Sequence, residues 1–374
     1  MNATFVQAEK SIHQAISIMI ETESAIPVHR VKQSRVSEVD FENLGFGKEF
    51  SDHMFIADYR DGQWGDLRIV PFAPFTVHPA MSALHYGQSI FEGLKAFKND
   101  KGEIFIFRPD KNAERLNKSA DRMCMPEFPP ELFIQAVTAL VDIDQAWVPS
   151  KEGEALYIRP LMFATDAYVG IRPSDTYRLM IFTGPVGRYY TGDVKVKIEN
   201  IYTRASKGGT GNAKAAGNYA ASLYPAKKAR EEGFDQMVWT DATTHEYIEE
   251  SGTMNILFRH GNRIITPMIT DSILEGITRD SVLTLARDWG YQVEERKVSV
   301  IEIIDLLRKG ELHEAFGAGT AATVAPIAKV GYKGESFSLP PYETWEFAPK
   351  ARAAMDSIKR GIAEDVHHWN VRVK

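Results

Sequence analysis

The sequence predicts an α+β chain of two domains, on three observations. Its 374 residues favour two domains of roughly 100–200 residues each over one. Strand-like runs are interrupted by helices without regular β-α-β alternation, the pattern of a mixed α+β domain. A Gly- and Pro-dense stretch, Gly184 to Asp193, separates two strand signals near mid-chain, where a linker belongs. Hydrophobic residues are 44% and charged residues 25% of the chain, the ordinary balance of a protein with large cores.

Residues 1–40 read as a peripheral extension, one amphipathic helix followed by a polar stretch from His29 to Asp40. Strands follow at His53 to Tyr59 and Asp66 to Val70, with the Asp61-Gly62 turn between them. Ser89 to Phe97 reads as one buried strand, Asn99 to Gly102 as a hairpin turn, and Glu103 to Arg108 as the returning strand. Pro109-Asp110 opens a helix over Lys111 to Met123, with Ala113, Leu116 and Ala120 on one stripe. Pro129-Pro130 opens another over Glu131 to Trp147, and strands return at Ala155 to Ala164 and Tyr177 to Thr183. Beyond the linker, strands are expected at Val194 to Tyr202, Gln236 to Thr240, Met254 to Phe258 and Arg263 to Thr266. Helical character marks Asn218 to Glu232, Thr278 to Trp289, Ile301 to Lys309 and Pro349 to Ile362, with Gly290 and Gly310 as stops. The expected divisions are therefore an extension (1–40), a smaller α/β domain (41–186), an interdomain loop (187–197) and a larger domain (198–374).

A net charge of −6 gives no reason to expect nucleic acid or an anionic membrane as partner. Cys124 is the one cysteine, so no intrachain disulfide forms and a reducing, cytoplasmic home is expected. No apolar run approaches the roughly 18 residues of a spanning helix, and residues 1–30 lack the basic start of a signal peptide and the acid-poor composition of a transit peptide. The 10 His form no metal-ligand cluster.

The chemistry centres on Arg204 to Tyr219, where Gly208, Gly209, Gly211 and Gly217 surround Lys214. Glycines let backbone approach a ligand closely, and a lysine desolvated there becomes a neutral amine able to attack carbonyls and form a Schiff base. Taken alone the segment reads equally as a surface loop with a solvated lysine or as a phosphate or cofactor loop. It is not a P-loop, because Ala213 precedes the lysine and Ala215 stands where the magnesium-binding hydroxyl is required. Further candidates are Gly276-Ile-Thr-Arg-Asp280 at a helix start, suited to an anion, and the small-residue turn Gly317 to Ala322, able to offer N–H groups. Glu250 stands before Ser251-Gly-Thr-Met-Asn255, and Arg108 ends a strand.

In that order Lys-Gly-Gly-Thr-Gly-Asn-x-Lys-x-x-Gly-Asn-Tyr, Glu-x-Gly-Thr-Met-Asn, Gly-Ile-Thr-Arg and Gly-x-Gly-Thr-Ala resemble the branched-chain amino-acid aminotransferases, fold-type IV pyridoxal-phosphate enzymes. His85 to Gly93, Phe107-Arg-Pro109, Tyr157-Ile-Arg-Pro160 and Gly187-Arg-Tyr189 match the same pattern, and the resemblance runs from about Phe46 to the end of the sequence. It implies a small α/β N-terminal domain and a larger domain with a β-barrel-like core. It implies pyridoxal 5'-phosphate held covalently by Lys214, which then moves the substrate proton as base and acid. Glu250 would keep the pyridine nitrogen protonated and Tyr219 would hydrogen-bond the ring oxygen. Arg108, Ile277, Thr278 and Thr320 would hold the phosphate.

The resemblance further implies an aromatic substrate pocket of Phe46, Phe91, Tyr189 and Tyr219, with Tyr86 supplied by the partner of a homodimer. Arg159 would meet the γ-carboxylate of glutamate, and the N–H groups of Thr320 and Ala321 would take the α-carboxylate. The expected reaction exchanges the amine of leucine, isoleucine or valine with 2-oxoglutarate in two ping-pong halves. Ala322 and Ala325 stand where some animal members carry a Cys-x-x-Cys switch, which excludes thiol regulation there. Two rival readings remain: a D-amino-acid transaminase or aminodeoxychorismate lyase sharing the lysine and acid, and a silent binding protein for a nucleotide or phosphorylated partner.

Overall fold

The computed structural model describes residues 26–188, 192 and 194–373. The helix expected near the start, and Tyr189, lie outside the described residues. Seven strands and three helices make the first part: β1 (His53–Arg60), β2 (Gln63–Pro71), α1 (Ser82–Tyr86), β3 (Ser89–Phe91), β4 (Leu94–Lys98), β5 (Ile104–Phe107), α2 (Pro109–Arg122), α3 (Pro130–Ile143), β6 (Ala155–Ala164) and β7 (Tyr177–Val186). Pro109 and Pro130 each occupy a first helical position, where the missing N–H costs nothing. Phe133, Val137 and Leu140 of α3 and Ala113 and Leu116 of α2 pack with Phe55, Leu94 and Ile158 into one core.

The predicted strand Ser89 to Phe97 is broken. β3 pairs with β6, the ladder is interrupted at Glu92-Gly93, and β4 then pairs with β6 and β5. The physical reason lies on the facing strand: Glu92 N–H donates to the Pro160 carbonyl at 2.8 Å, but Pro160 has no N–H to return. The Glu92 side chain is fully buried and takes two hydrogen bonds from Arg115.

The second part follows as β8 (Val194–Ile198), α4 (Ala216–Ala221), α5 (Leu223–Glu231), β9 (Gln236–Thr240), β10 (Tyr247–Ser251), β11 (Met254–His260), β12 (Arg263–Pro267), α6 (Ile277–Asp288), β13 (Gln292–Arg296), β14 (Val298–Ser299), α7 (Val300–Lys309), β15 (Glu314–Gly319), β16 (Thr323–Tyr332), β17 (Glu335–Ser338), α8 (Phe347–Lys359) and β18 (Asn370–Arg372). Strands β11, β15, β16, β8, β9 and β10 are neighbours in that order, and β10 pairs back onto β11 to close a barrel. The closing seam is short, Glu250 opposite Asn255 and Ser251 opposite Met254. Val196, Leu257, Phe316 and Ile327 belong to its core.

Gly317 to Ala322 was expected as a turn. Gly317 to Gly319 instead finish β15, where Met254 lies so close that a Cβ on Gly317 would meet its Cε at 2.5 Å. Strand β18 leaves the barrel part and pairs antiparallel with β5, so the first sheet is completed by residues far along the chain.

Candidate active site

A cavity of about 460 Å³ lies where the two parts meet. From the first sheet Phe91, Gly93, Tyr157, Arg159 and Leu161 line it; from the second part come Lys214, Tyr219, Glu250, the start of α6 and the end of β15. Lys214 precedes α4 and is held by its backbone: its N–H donates to Ser119 Oγ at 2.9 Å and its carbonyl accepts from Phe91 N–H at 3.1 Å. Its Nζ donates to Tyr219 Oη at 3.1 Å, and the Phe91 and Tyr219 rings are 4.7 Å apart at their centroids.

The glycines of the loop do not form the ligand wall that was expected of them. Gly208 and Gly209 give their carbonyls to Arg122, Gly208 N–H donates to Asp271, and a Cβ on Gly211 would meet Ser272 Cα at 2.6 Å. Gly209 and Gly211 serve close packing against neighbouring protein and Gly208 supplies a left-handed turn (φ 74°), which together fix the segment that ends in Lys214.

Glu250 is 3% exposed on the barrel seam. Arg204 Nε lies 3.2 Å from one of its oxygens and Nη2 donates to the other at 3.2 Å; Leu274 N–H donates as well. Burial raises the Glu250 carboxyl above its ordinary range, opposed by the Arg204 charge, the Leu274 N–H and the Lys214 charge.

Ile277 and Thr278 open α6 on the cavity wall. Gly276 before them is required by Asn255, whose Oδ1 would stand 1.8 Å from an added Cβ. Arg108, expected beside this helix start as a phosphate ligand, is not on the wall. Its backbone is left-handed (φ 49°), and its Nη1 donates to Asp280 at 2.6 Å and Ser281 at 2.8 Å. It lines a smaller adjoining cavity of about 180 Å³.

Besides Arg159, the main cavity is lined by Arg115, which the sequence does not point to. Nε and Nη2 donate to Glu92 at 2.8 Å each and Nη1 to the Glu275 carbonyl at 2.9 Å, leaving two of its five N–H groups for a ligand. Burial works against the Glu92 carboxylate, but Arg115 outweighs it and holds the acid below its ordinary value.

Phe46, Phe91, Arg159, Thr320 and Ala321 all line the cavity. Arg159 donates to Tyr157 Oη at 3.0 Å and stacks its guanidinium 4.6 Å over the Phe91 ring. Tyr157, which opens the Tyr-Ile-Arg-Pro match but was given no role of its own, also lines the cavity; a Cβ on Gly93 would meet its hydroxyl at 2.3 Å, so Gly93 makes its room. Tyr86 is 45% exposed on α1 and does not reach this cavity in one copy of the chain. Lys214, Arg115 and Arg159 outnumber Glu250 on the wall, so the site favours an anionic ligand.

The amino-transferase class IV family pattern matches residues 89–330. The chain belongs to the class IV aminotransferases. Among similar proteins, branched-chain-amino-acid aminotransferase 2 of Bacillus subtilis (strain 168) is 46% identical over 89% of this chain and 93% of its own length. The branched-chain aminotransferase of Thermoproteus uzoniensis, solved with norvaline, superposes at a TM-score of 0.72 with 26% identity, covering 86% of this chain and all of that one (100%). That of Thermobaculum terrenum, solved in its PLP form, gives a TM-score of 0.70 at 25% identity over 87% of this chain and 100% of its own. Class IV aminotransferases are pyridoxal-phosphate enzymes, and the residues here fit that cofactor: an amine, a buried acid and a helix start with an arginine, all on one cavity. No helix among the described residues is long and apolar enough to cross a membrane.

Proposed function

We propose that this class IV aminotransferase moves the amino group of leucine, isoleucine or valine to 2-oxoglutarate, giving branched-chain 2-oxo acids and L-glutamate in a ping-pong cycle. The observation that carries the reading is the placement of Lys214, Tyr219, Glu250 and the α6 start around a cavity whose other wall is aromatic and carries Arg159. Pyridoxal phosphate bound there supplies the electron-withdrawing ring that acidifies the substrate Cα and carries the amine between half-reactions. Lys214 anchors it and takes the Cα proton, its amine kept in place by the Tyr219 hydroxyl. Glu250 holds the proton of the ring nitrogen, with Arg204 paired to the acid and opposing the burial that raises it.

Arg115, in place of Arg108, takes the phosphate together with the N–H groups of Ile277 and Thr278, with Thr320 beside them. Phe46, Phe91 and Tyr157 exclude water and accept a branched side chain, while Arg159 offers its guanidinium to the γ-carboxylate of glutamate. The N–H groups of Thr320 and Ala321 take the α-carboxylate. Exposed Tyr86 is read as closing the pocket of a second copy in a cytoplasmic homodimer. Borohydride reduction of the purified holoenzyme followed by peptide mass spectrometry should place the cofactor on Lys214. A panel of amino donors should then rank L-leucine far above D-alanine; an unlabelled Lys214, or D-alanine in first place, would refute the reading.

A further inference from the structure

Thr320 to Ala322 join β15 to β16 and form the partition between the active cavity and a second one of about 470 Å³ behind it. Two amines reach this partition from behind. Lys95 Nζ, from β4, donates to the Ala321 carbonyl at 2.8 Å, and Lys359 Nζ, at the end of α8, donates to Thr323 Oγ1 at 2.9 Å. They are 7% and 3% exposed, and neither lines the active cavity. Thr323 is itself held at φ 60°, a left-handed conformation that a β-branched residue keeps only under constraint from its surroundings.

Burying two ammonium groups is unfavourable unless each has a partner. Here the partners are the Ala321 carbonyl in the connection and the hydroxyl of Thr323, the residue that follows it and opens β16. A trans peptide points its C=O and the following N–H in opposite directions. Holding the Ala321 carbonyl on Lys95 therefore fixes the peptide plane that follows Ala321, and with it the connection that carries the Thr320 and Ala321 N–H groups.

We propose that Lys95 and Lys359 are positioning residues for the substrate-carboxylate seat: anchored on the Ala321 carbonyl and the Thr323 hydroxyl, they hold the connection so that its N–H groups face the substrate. This rests on the reading above that the N–H groups of Thr320 and Ala321 take the α-carboxylate. Burial lowers both amines, Lys95 to about 8 and Lys359 to about 7, with Asp356 opposing in each case; Lys95 thus keeps its charge at neutral pH.

The holoenzyme and Lys95→Met are titrated calorimetrically at neutral pH with 4-methylpentanoate, a branched carboxylate without an amine, and with its neutral amide. The wild type should prefer the acid by about tenfold or more. Lys95→Met should lose most of that preference, falling to about twofold, with its affinity for the amide and its borohydride-fixed cofactor content unchanged. A variant that keeps the full preference overturns the positioning role. A wild type without any acid preference overturns the carboxylate seat itself, and the role with it. If Lys95→Met does not fold, Lys359→Met carries the same comparison, and a preference equal to wild type there overturns the proposal.

Discussion

Arg204 and Glu250 form a buried two-point ion pair, Nε to one carboxylate oxygen and Nη2 to the other, each 3.2 Å long. Arg204 Nη2 also donates to the Gly211 carbonyl at 2.9 Å and the Ser272 carbonyl at 2.6 Å, so one guanidinium ties the acid to the loop that ends in Lys214. Arg204→Gln removes the first of the groups that oppose burial, leaving the Leu274 N–H and the Lys214 charge, and moves the Glu250 carboxyl further up. The expected cost is about 3–5 kcal/mol of stability, with loss of cofactor on dialysis. Unfolding curves and the cofactor absorbance after dialysis check both; a variant that stays yellow and as stable as wild type would refute the pairing.

The two arginines near the α6 start are separable. Arg115→Lys keeps a charge beside Glu92 but loses the fork that serves both the acid and a ligand. Its affinity for pyridoxal phosphate should fall by about tenfold. Arg108→Lys should leave that affinity within about twofold, because Arg108 is off the wall of the main cavity, its Nη1 bound to Asp280 and Ser281. Fluorescence titration of the cofactor-free variants decides; the opposite ranking would return the phosphate to Arg108.

Gly276→Ala tests the fit under α6. Its Cβ would press on Asn255, which donates to the Leu274 carbonyl at 2.9 Å and can yield only by breaking that bond. The expected destabilisation is about 1–3 kcal/mol, read as a lower urea midpoint at unchanged slope. Asn255→Ala in the same chain should recover part of it.

Lys359 carries a pH signature. It stands over the Phe97 and Phe107 rings, with Lys95 on β4 and Asp356 on α8 as the charges acting on it. Burial lowers the amine from 10.5 to about 7, with the Lys95 charge adding to the effect. From about pH 7 up to the ordinary lysine value the unfolded chain holds a proton that the folded chain has released, so this group makes stability rise with pH. Thermal midpoints of the wild type, taken relative to Lys359→Met, should climb between about pH 7 and about pH 9.5. A difference independent of pH would show that the amine is not depressed.

Chemistry held within one short stretch was legible before any coordinates. Lys214 and Tyr219 are five residues apart across a helix start, so their meeting is local; Glu250 was legible from the motif it opens, but it is brought to them by barrel closure. Arg115 was not legible, because an arginine between Ala113 and Leu116 reads as the edge of an amphipathic helix; its inward turn follows from its pairing with buried Glu92. The loop glycines were read as serving a ligand when they serve packing, since conformational freedom in a sequence does not say what approaches. Strands β10, β15 and β16 escaped notice for a related reason. Tyr247 to Ser251 is polar and Glu314 to Gly319 is rich in small residues, so neither shows an apolar alternation, and barrel closure stabilises them from outside their own sequence.

Strand β18 covers the open edge of β5, with Val371 opposite Ile106 and Trp369 packed on Phe107. During synthesis that edge waits, bare and apolar, while the entire barrel is being made. An unsatisfied edge invites pairing with other chains. The nascent protein is thus most prone to aggregation before its barrel is finished, and the final strand works as a late seal joining the maturation of one sheet to that of the other.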